Sequence, residues 1–377
     1  MTDINDVFYG CSTATQSSSA RPRRSRGDRS PTIDLHCHFL NDQVERLVAH
    51  LPQKKAELDV QMANAGQVSA IRNAELMRTT YRPKLIDIDV RLADMDAMGV
   101  DIQAVSPAPN QYYYWAEIDL AVEIVRTTNE RIAEVCAAHP NRFVGLGTVA
   151  LQDPKLAVEQ ADYAVRKLGL RGIEISSLVN GVGVADPKFD PFWAKMEALG
   201  AVVFLHPLGT SIGPRLNSHY LSNIVGQPAE TTITLSQMIF GGVFDRFENL
   251  KLCAAHGGGY LPLYIGRSDR GFAVRPESCH CRRRPSEYLK RIWYDTVVHD
   301  ADQLRHLINV VGASRIVIGT DYPFDMGHYA PQELLDRVAG LSEVEREMIL
   351  GRNAAELLNL TALYVSDEIS ARGHDEA

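Results

Sequence analysis

The chain has 377 residues, 45% of them hydrophobic and 23% charged, with a formal net charge of −8. This is globular composition, with enough length for one large α/β domain or two ordinary ones. Residues 1–30 hold five Arg against three Asp, +2, so the rest carries −10, which argues against a nucleic-acid surface; no apolar run approaches the ~20 residues that span a bilayer.

Residues 1–30 are rich in Ser and Arg and lack the apolar core of a secretory signal, so they read as a disordered leader. A single domain is expected over 31–365. The run Ile33-Asp34-Leu35-His36-Cys37-His38 is the first strand. Residues 39–84 break the strand–helix rhythm and read as an insertion over the end of that strand, with helical sequence at Val44–Leu51 and Lys54–Ala63.

From residue 85 the pattern is regular. Apolar residues at helical spacing predict a helix over Leu85–Met98. Strand 2 follows at Ile102–Ser106, then a long helix over Ile118–Ala138 that stops at His139-Pro140. Strand 3 is expected at Phe143–Val149, a helix at Leu156–Leu168 and strand 4 at Gly172–Ser176. A helix over Phe189–Leu199 is closed by Gly200, and strand 5 runs over Ala201–His206. Residues 207–228 are rich in Gly, Pro and Asn and too long for a plain connection, so they are a candidate lid. A helix at Thr231–Phe240 precedes strand 6, Leu250–His256, and Tyr260–Gly271 is helical. Strand 7 is Ile292–Thr296, a helix covers Asp302–Val311, and strand 8 is Arg315–Thr320. Short helical stretches reach Leu360, and 366–377 is a polar, frayed tail. Eight alternating βα units define an α/β fold, a (β/α)8 TIM-like barrel with an insertion after strand 1 and extra C-terminal helices. No G-x-G-x-x-G follows a strand, which argues against a doubly wound sheet.

The chemistry sits where such a barrel keeps it, at the C-terminal ends of strands. His36 and His38, spaced i, i+2 on a strand, project to one side. His206 ends strand 5, His256 ends strand 6 and Asp321 follows strand 8. Three imidazoles (His36, His38, His206) and the Asp321 carboxylate suit one divalent metal, Zn2+ first, with Mn2+ or Fe2+ tolerated. Such an ion can lower the pKa of a bound water to about 7. His256 is then free as a general acid or base. Other uses remain open: His206 bonded under a proline turn, Asp321 as an N-cap, and Gly257-Gly258-Gly259 as either an anion-binding helix start or a tight turn. Arg82, Arg267 and Arg275 are candidates to grip a carboxylate. Cys279-His280-Cys281 has metal-like spacing but lacks a second half. Glu174, on strand 4, is a further possible ligand. The six cysteines show no C-x-x-C pair, which fits reduced thiols in a cytoplasmic protein.

Leu35-His36-Cys37-His38, Leu205-His206-Pro207, Ala255-His256-Gly257-Gly258-Gly259 and Gly319-Thr320-Asp321-Tyr322-Pro323-Phe324 together resemble the amidohydrolase superfamily. Arg142–Thr148, Pro228–Thr232 and Gly241–Phe244 carry the likeness towards its decarboxylase branch, over roughly 32–360. The resemblance implies a metal-dependent, non-oxidative carbon–carbon lyase that removes CO2 from a carboxylated aromatic or muconate-type acid. It implies that His36, His38, His206 and Asp321 bind one metal and that His256, with Asp321, handles the proton. It further implies that Arg82, Arg267 and Arg275 bind substrate carboxylate, one from a neighbouring subunit of a homodimer, and that Phe324 flanks the substrate.

The chain departs from the family in the pocket. The aromatic residues the family carries before Pro228 are replaced by Tyr220–Gln227, and Leu208-Gly209 stand where Trp is frequent. A hydrolase of the same superfamily, opening a lactone or amide, is the alternative, and a hydratase a third. Many such hydrolases hold a second metal with a lysine at the end of strand 4, where this chain has Gly172-Ile173-Glu174-Ile175-Ser176-Ser177.

Overall fold

The computed structural model describes residues 31–360, so the expected leader (1–30) and tail (366–377) lie outside the described residues. Eight parallel strands form one sheet: β1 (Ile33–Phe39), β2 (Ile102–Pro107), β3 (Phe143–Gly147), β4 (Gly172–Ile175), β5 (Val202–Leu205), β6 (Leu252–Ala254), β7 (Trp293–Asp295) and β8 (Ile316–Val317). Bridges from Asp34 to Ile318 and from Cys37 to Tyr322 join β8 back to β1. The fold is a (β/α)8 barrel.

Two packed regions follow from the pleat. Ile33, Leu35, Ile102, Ala104, Leu146, Val202, Phe204, Cys253, Ala255 and Val317 fill the barrel interior. Ala354, Ala355, Leu357, Leu358 and Leu360, from the helix Asn353–Leu357 and just beyond it, join them and plug one end. The alternate residues, among them Val105, Ile173, Val203, Leu205, Leu252 and Ala254, pack outwards under the helices. Burial on both strand faces is why these strands read as apolar runs.

β1 breaks this alternation. Asp34 pairs with Gln103 and Cys37 with Val105, so β1 spends three steps where β2 spends two. That is a one-residue β-bulge. Ile33 and Leu35 face the interior, whereas Cys37 and Phe39 belong to the outer layer. The slip leaves His36 and His38 facing the barrel axis.

A buried polar clamp holds the bulge. The Asp34 carboxylate accepts from the amides of His36 (3.2 Å) and Thr320 (3.0 Å), from Thr320 Oγ1 (2.6 Å) and from Gln103 Nε2 (3.0 Å). Burial still pushes its pKa up to about 6. Gln103 Oε1 in turn accepts from buried Arg91 at 3.0 Å. Arg91 also donates to the carbonyl of His38 and lies 4.8 Å from the Tyr322 ring.

The expected helix over Leu85–Met98 is divided. Arg82–Ile86 forms a separate turn, and Asp87 caps a second helix, Ile88–Met98, by accepting from Asp89 N and Val90 N. The competing signal is a carboxylate at an N-cap position. The 39–84 stretch is helical over Asp42–Val48, Pro52–Ala65 and Gln67–Leu76. At the corner between the last two, Gly66 (φ 85°) meets Asn217: a Cβ there would stand 1.8 Å from the Asn217 carbonyl oxygen. The 39–84 and 207–228 segments therefore pack backbone to backbone at this point.

Replacing Asp34 by Ala strips the acceptor from four buried donors. We expect Asp34→Ala to lower unfolding stability by about 2–4 kcal/mol; an unshifted urea midpoint would show that the clamp contributes nothing.

Candidate metal centre

His36, His38, His206 and Asp321 converge at the C-terminal mouth of the barrel, with one potential ligand atom of each within 4.8 Å of the others. All four are buried. His36 Nε2 lies 3.2 Å from His38 Nε2 and 3.3 Å from Asp321 Oδ1, and His38 Nε2 lies 3.2 Å from that same oxygen. Neither ring nitrogen of His206 has a hydrogen-bond partner, and neither has Asp321 Oδ1. Imidazole lone pairs and a carboxylate aimed at one point, without protein donors to satisfy them, fit a divalent cation with N and O ligands. Burial and the neighbouring imidazoles push His206 well below the usual histidine range, which keeps its lone pair free. Burial opposes ionisation of Asp321, but the charge of His36 together with hydrogen bonds from His256, His36 and His38 outweighs it and holds the carboxyl well below its usual range.

This geometry bears on the readings left open. The His206 imidazole is bonded to nothing under its proline turn. Asp321 caps no helix, since the next one, Pro331–Asp336, starts after Ala330. The three glycines after His256 form a tight turn: all have positive φ, at 60°, 78° and 66°. Their amides are already spent on Asp295 Oδ1, Ala255 O and His256 O. A Cβ on Gly258 would strike the Tyr294 ring at 2.6 Å and one on Gly259 the Pro228 carbonyl at 2.1 Å. Gly319 serves close approach too, since a Cβ there would stand 2.9 Å from that of His36.

His256 stands beside the cluster, its Nε2 3.8 Å from Asp321 Oδ2 and its ring 5.0 Å from that of His206. His256 and Asp321 both hold left-handed backbone, φ 55° and 54°. Such conformations cost a non-glycine residue on the order of 1–3 kcal/mol and gather at functional sites.

Asp295, at the end of β7, escaped the sequence reading. Its Oδ2 lies 2.6 Å from His36 Nδ1, and the carboxylate also accepts from the amides of His256 (3.0 Å), Gly257 (2.8 Å) and Val297 (3.1 Å). Burial would raise its pKa, but the bond to His36, the charges of His36 and His256 and the Gly257 amide together lower it. A carboxylate behind a ligating histidine fixes which ring nitrogen carries the proton. The signal available was its place, the only acidic residue in a strand otherwise apolar or aromatic.

Phe324 lies against the site, its ring 5.4 Å from that of His38 and 5.3 Å from that of Tyr81. The arginines do not reach the cluster within one chain. Arg82 is exposed and paired with Asp42 at 2.8 Å. Arg267 is exposed in a groove with Thr232, Phe240, Tyr260 and Tyr264 that includes no cluster residue. Arg275 is exposed and paired with Glu277. The thiols of Cys279 and Cys281 donate to backbone carbonyls, and among the described residues the His/Asp group is the one metal-like cluster.

The amidohydrolase family model matches residues 33–360. The 2-amino-3-carboxymuconate-6-semialdehyde decarboxylase of Dictyostelium discoideum is 37% identical over 343 residues, covering 88% of this chain and 92% of that protein. The gamma-resorcylate decarboxylase of Rhodococcus jostii is 29% identical over 74% of this chain and 89% of its own length. Among solved structures, 5-carboxyvanillate decarboxylase from Sphingomonas paucimobilis superposes with a TM-score of 0.75 at 28% identity, covering 87% of this chain and 99% of that one. The chain belongs to the amidohydrolase family. Within it, the chain falls in the decarboxylase branch, whose carboxymuconate-semialdehyde decarboxylases it resembles over nearly its whole length.

Asp295→Asn preserves shape but removes the charge behind His36. It should weaken metal binding about 10–100-fold, as loss of such a partner does elsewhere, measured by competition with a chelating dye. Stripping with a chelator should lower the melting temperature, and added Zn2+ or Mn2+ should restore it.

Proposed function

We infer that this protein is a metal-dependent, non-oxidative decarboxylase, a carbon–carbon lyase acting on a carboxylated aromatic or muconate-type acid. The observation that carries the reading is the buried His36–His38–His206–Asp321 cluster with His256 poised at its edge, in a chain similar to decarboxylases over most of its length. The Asp321 carboxylate and three imidazoles would hold one divalent ion, Zn2+ by ligand type, with Mn2+ also suited. When bound, that ion supplies positive charge to draw a substrate oxygen and its developing negative charge.

The chain's own residues supply the rest. Breaking the bond to CO2 leaves its electron pair on carbon, and a proton must arrive there. His256 would deliver it, a reading supported by its amide being fixed by Asp295 and by its Nε2 lying 3.8 Å from Asp321 Oδ2. Phe324, packed on His38, would form one wall for a planar substrate. Gripping a substrate carboxylate would fall to Arg82, Arg267 or Arg275, one of them reaching from a neighbouring subunit of a homodimer. Their exposure in the single chain is compatible with that role. Free buried thiols at Cys37 and Cys253 suit a reducing compartment, the cytoplasm. No helix among the described residues is long and apolar enough to cross a membrane.

Elemental analysis should find about one metal per chain, and a panel of hydroxybenzoates, aminobenzoates and carboxymuconate semialdehydes should include an acid that releases CO2. His256→Ala should keep the metal and lose about 10^2–10^4-fold in kcat. Two metals per chain with lactone or amide hydrolysis and no CO2 would replace the lyase with a hydrolase.

A further inference from the structure

The two histidines of β1 are backed differently. His36 has Asp295 in direct contact, whereas His38 Nδ1 has the Pro107 carbonyl at 3.4 Å and Glu174 Oε1 at 3.8 Å. Glu174 comes from β4 in register with Phe204 of β5 and is fully buried. Its Oε1 accepts from the Tyr112 hydroxyl at 2.6 Å, and its Oε2 has no hydrogen-bond partner. Tyr112 is itself fixed: its ring stacks on Tyr114 at 5.6 Å and 10°, and the Tyr114 hydroxyl accepts from the Ser176 amide at 3.3 Å.

A buried carboxylate with one hydroxyl donor and one bare oxygen lacks compensation. Besides Tyr112, the Ser106 side chain and the imidazole of His38 are donors beside it, His38 Nδ1 standing 3.8 Å from Oε1. If His38 Nε2 gives its lone pair to a cation, Nδ1 must carry the proton, and that N–H becomes more acidic and needs a strong acceptor. A carboxylate serves better than the neutral Pro107 carbonyl.

We propose that Glu174, clamped by Tyr112, is a positioning residue for the metal centre: its carboxylate takes the Nδ1–H of His38 and holds Nε2 as the ligating nitrogen. The proposal rests on the reading of His38 as a metal ligand. Glu174 then does for His38, from β4, what Asp295 does for His36, from β7. It also gives the strand-4 acidic residue a use that requires no second metal.

The test is Zn2+ affinity of the full chain, by competition with a chelating dye, with His38→Ala as the control for the site. Glu174→Leu removes the acceptor and should raise Kd about 10–100-fold. Glu174→Gln keeps an oxygen with two lone pairs for Tyr112 and His38 but loses the charge, so it should weaken Zn2+ several-fold, less than Glu174→Leu does. Tyr112→Phe keeps the ring stack, loses the clamp and should weaken Zn2+ several-fold, independently of whether the Leu variant folds. In 15N-histidine-labelled, Zn2+-loaded protein the Nδ1–H signal of His38 should persist in Glu174→Gln and be lost by exchange in Glu174→Leu or Tyr112→Phe, which a merely structural role would not produce. Wild-type affinity in both Glu174→Leu and Tyr112→Phe would overturn the proposal while leaving the metal centre intact. Equal loss in Glu174→Gln and Glu174→Leu would overturn it in favour of Glu174 as a direct ligand. Absence of Zn2+ binding by the wild type would overturn the metal reading itself.

Discussion

The arrangement depends on one extra residue in β1. A regular strand that keeps Ile33 and Leu35 in the barrel interior would send His36 and His38 to the outer layer, among the helices. The bulge after Asp34 reverses the phase, and Asp34 accepts the hydrogen bonds that the distorted backbone no longer makes to a neighbouring strand. The same carboxylate ties Thr320, the residue before Asp321. A single buried acid therefore locates candidate ligands on both edges of the closing seam, while Arg91 grips the carbonyl of His38 from outside. The metal centre and the closure of the barrel are in this sense one structure.

Much of the fold was legible because period and punctuation agree. Eight apolar runs separated by helical sequence, with Pro or Gly at the joins, leave few architectures open. The site was legible because four of its side chains follow those runs directly, and a parallel barrel gathers its strand ends at one mouth. What the sequence hid was of another kind. The break at Asp87 turns on a carboxylate choosing a capping position over a surface one, a difference of about 1 kcal/mol that apolar spacing cannot register. The bulge is invisible to any reading in steps of two. Asp295 and Tyr112 acquire meaning only through partners about 260 and 62 positions away. The candidate arginines show the converse: their residue type suited a carboxylate, but within one chain the fold leaves them exposed.

The site is built from carboxylates in graded roles. Asp321 faces the cluster, Asp295 stands behind His36, Asp34 sits in the strand itself, and Glu174 lies under His38. Each is buried, so each must be matched by donors or by a cation. Asp295 links two jobs, since it orients a candidate ligand and also holds the turn that presents His256. Changes at these two histidines are therefore expected to be non-additive, because they share a support.

The meeting of Gly66 with Asn217 bears on how this enzyme could diversify. With no room for a single carbon between the two backbones, neither segment can be redrawn alone: a new loop at 207–228 would land on a corner shaped for the old one. The two stretches, which meet through residues 151 positions apart, behave as one unit, and exchanging either between relatives would require moving both together.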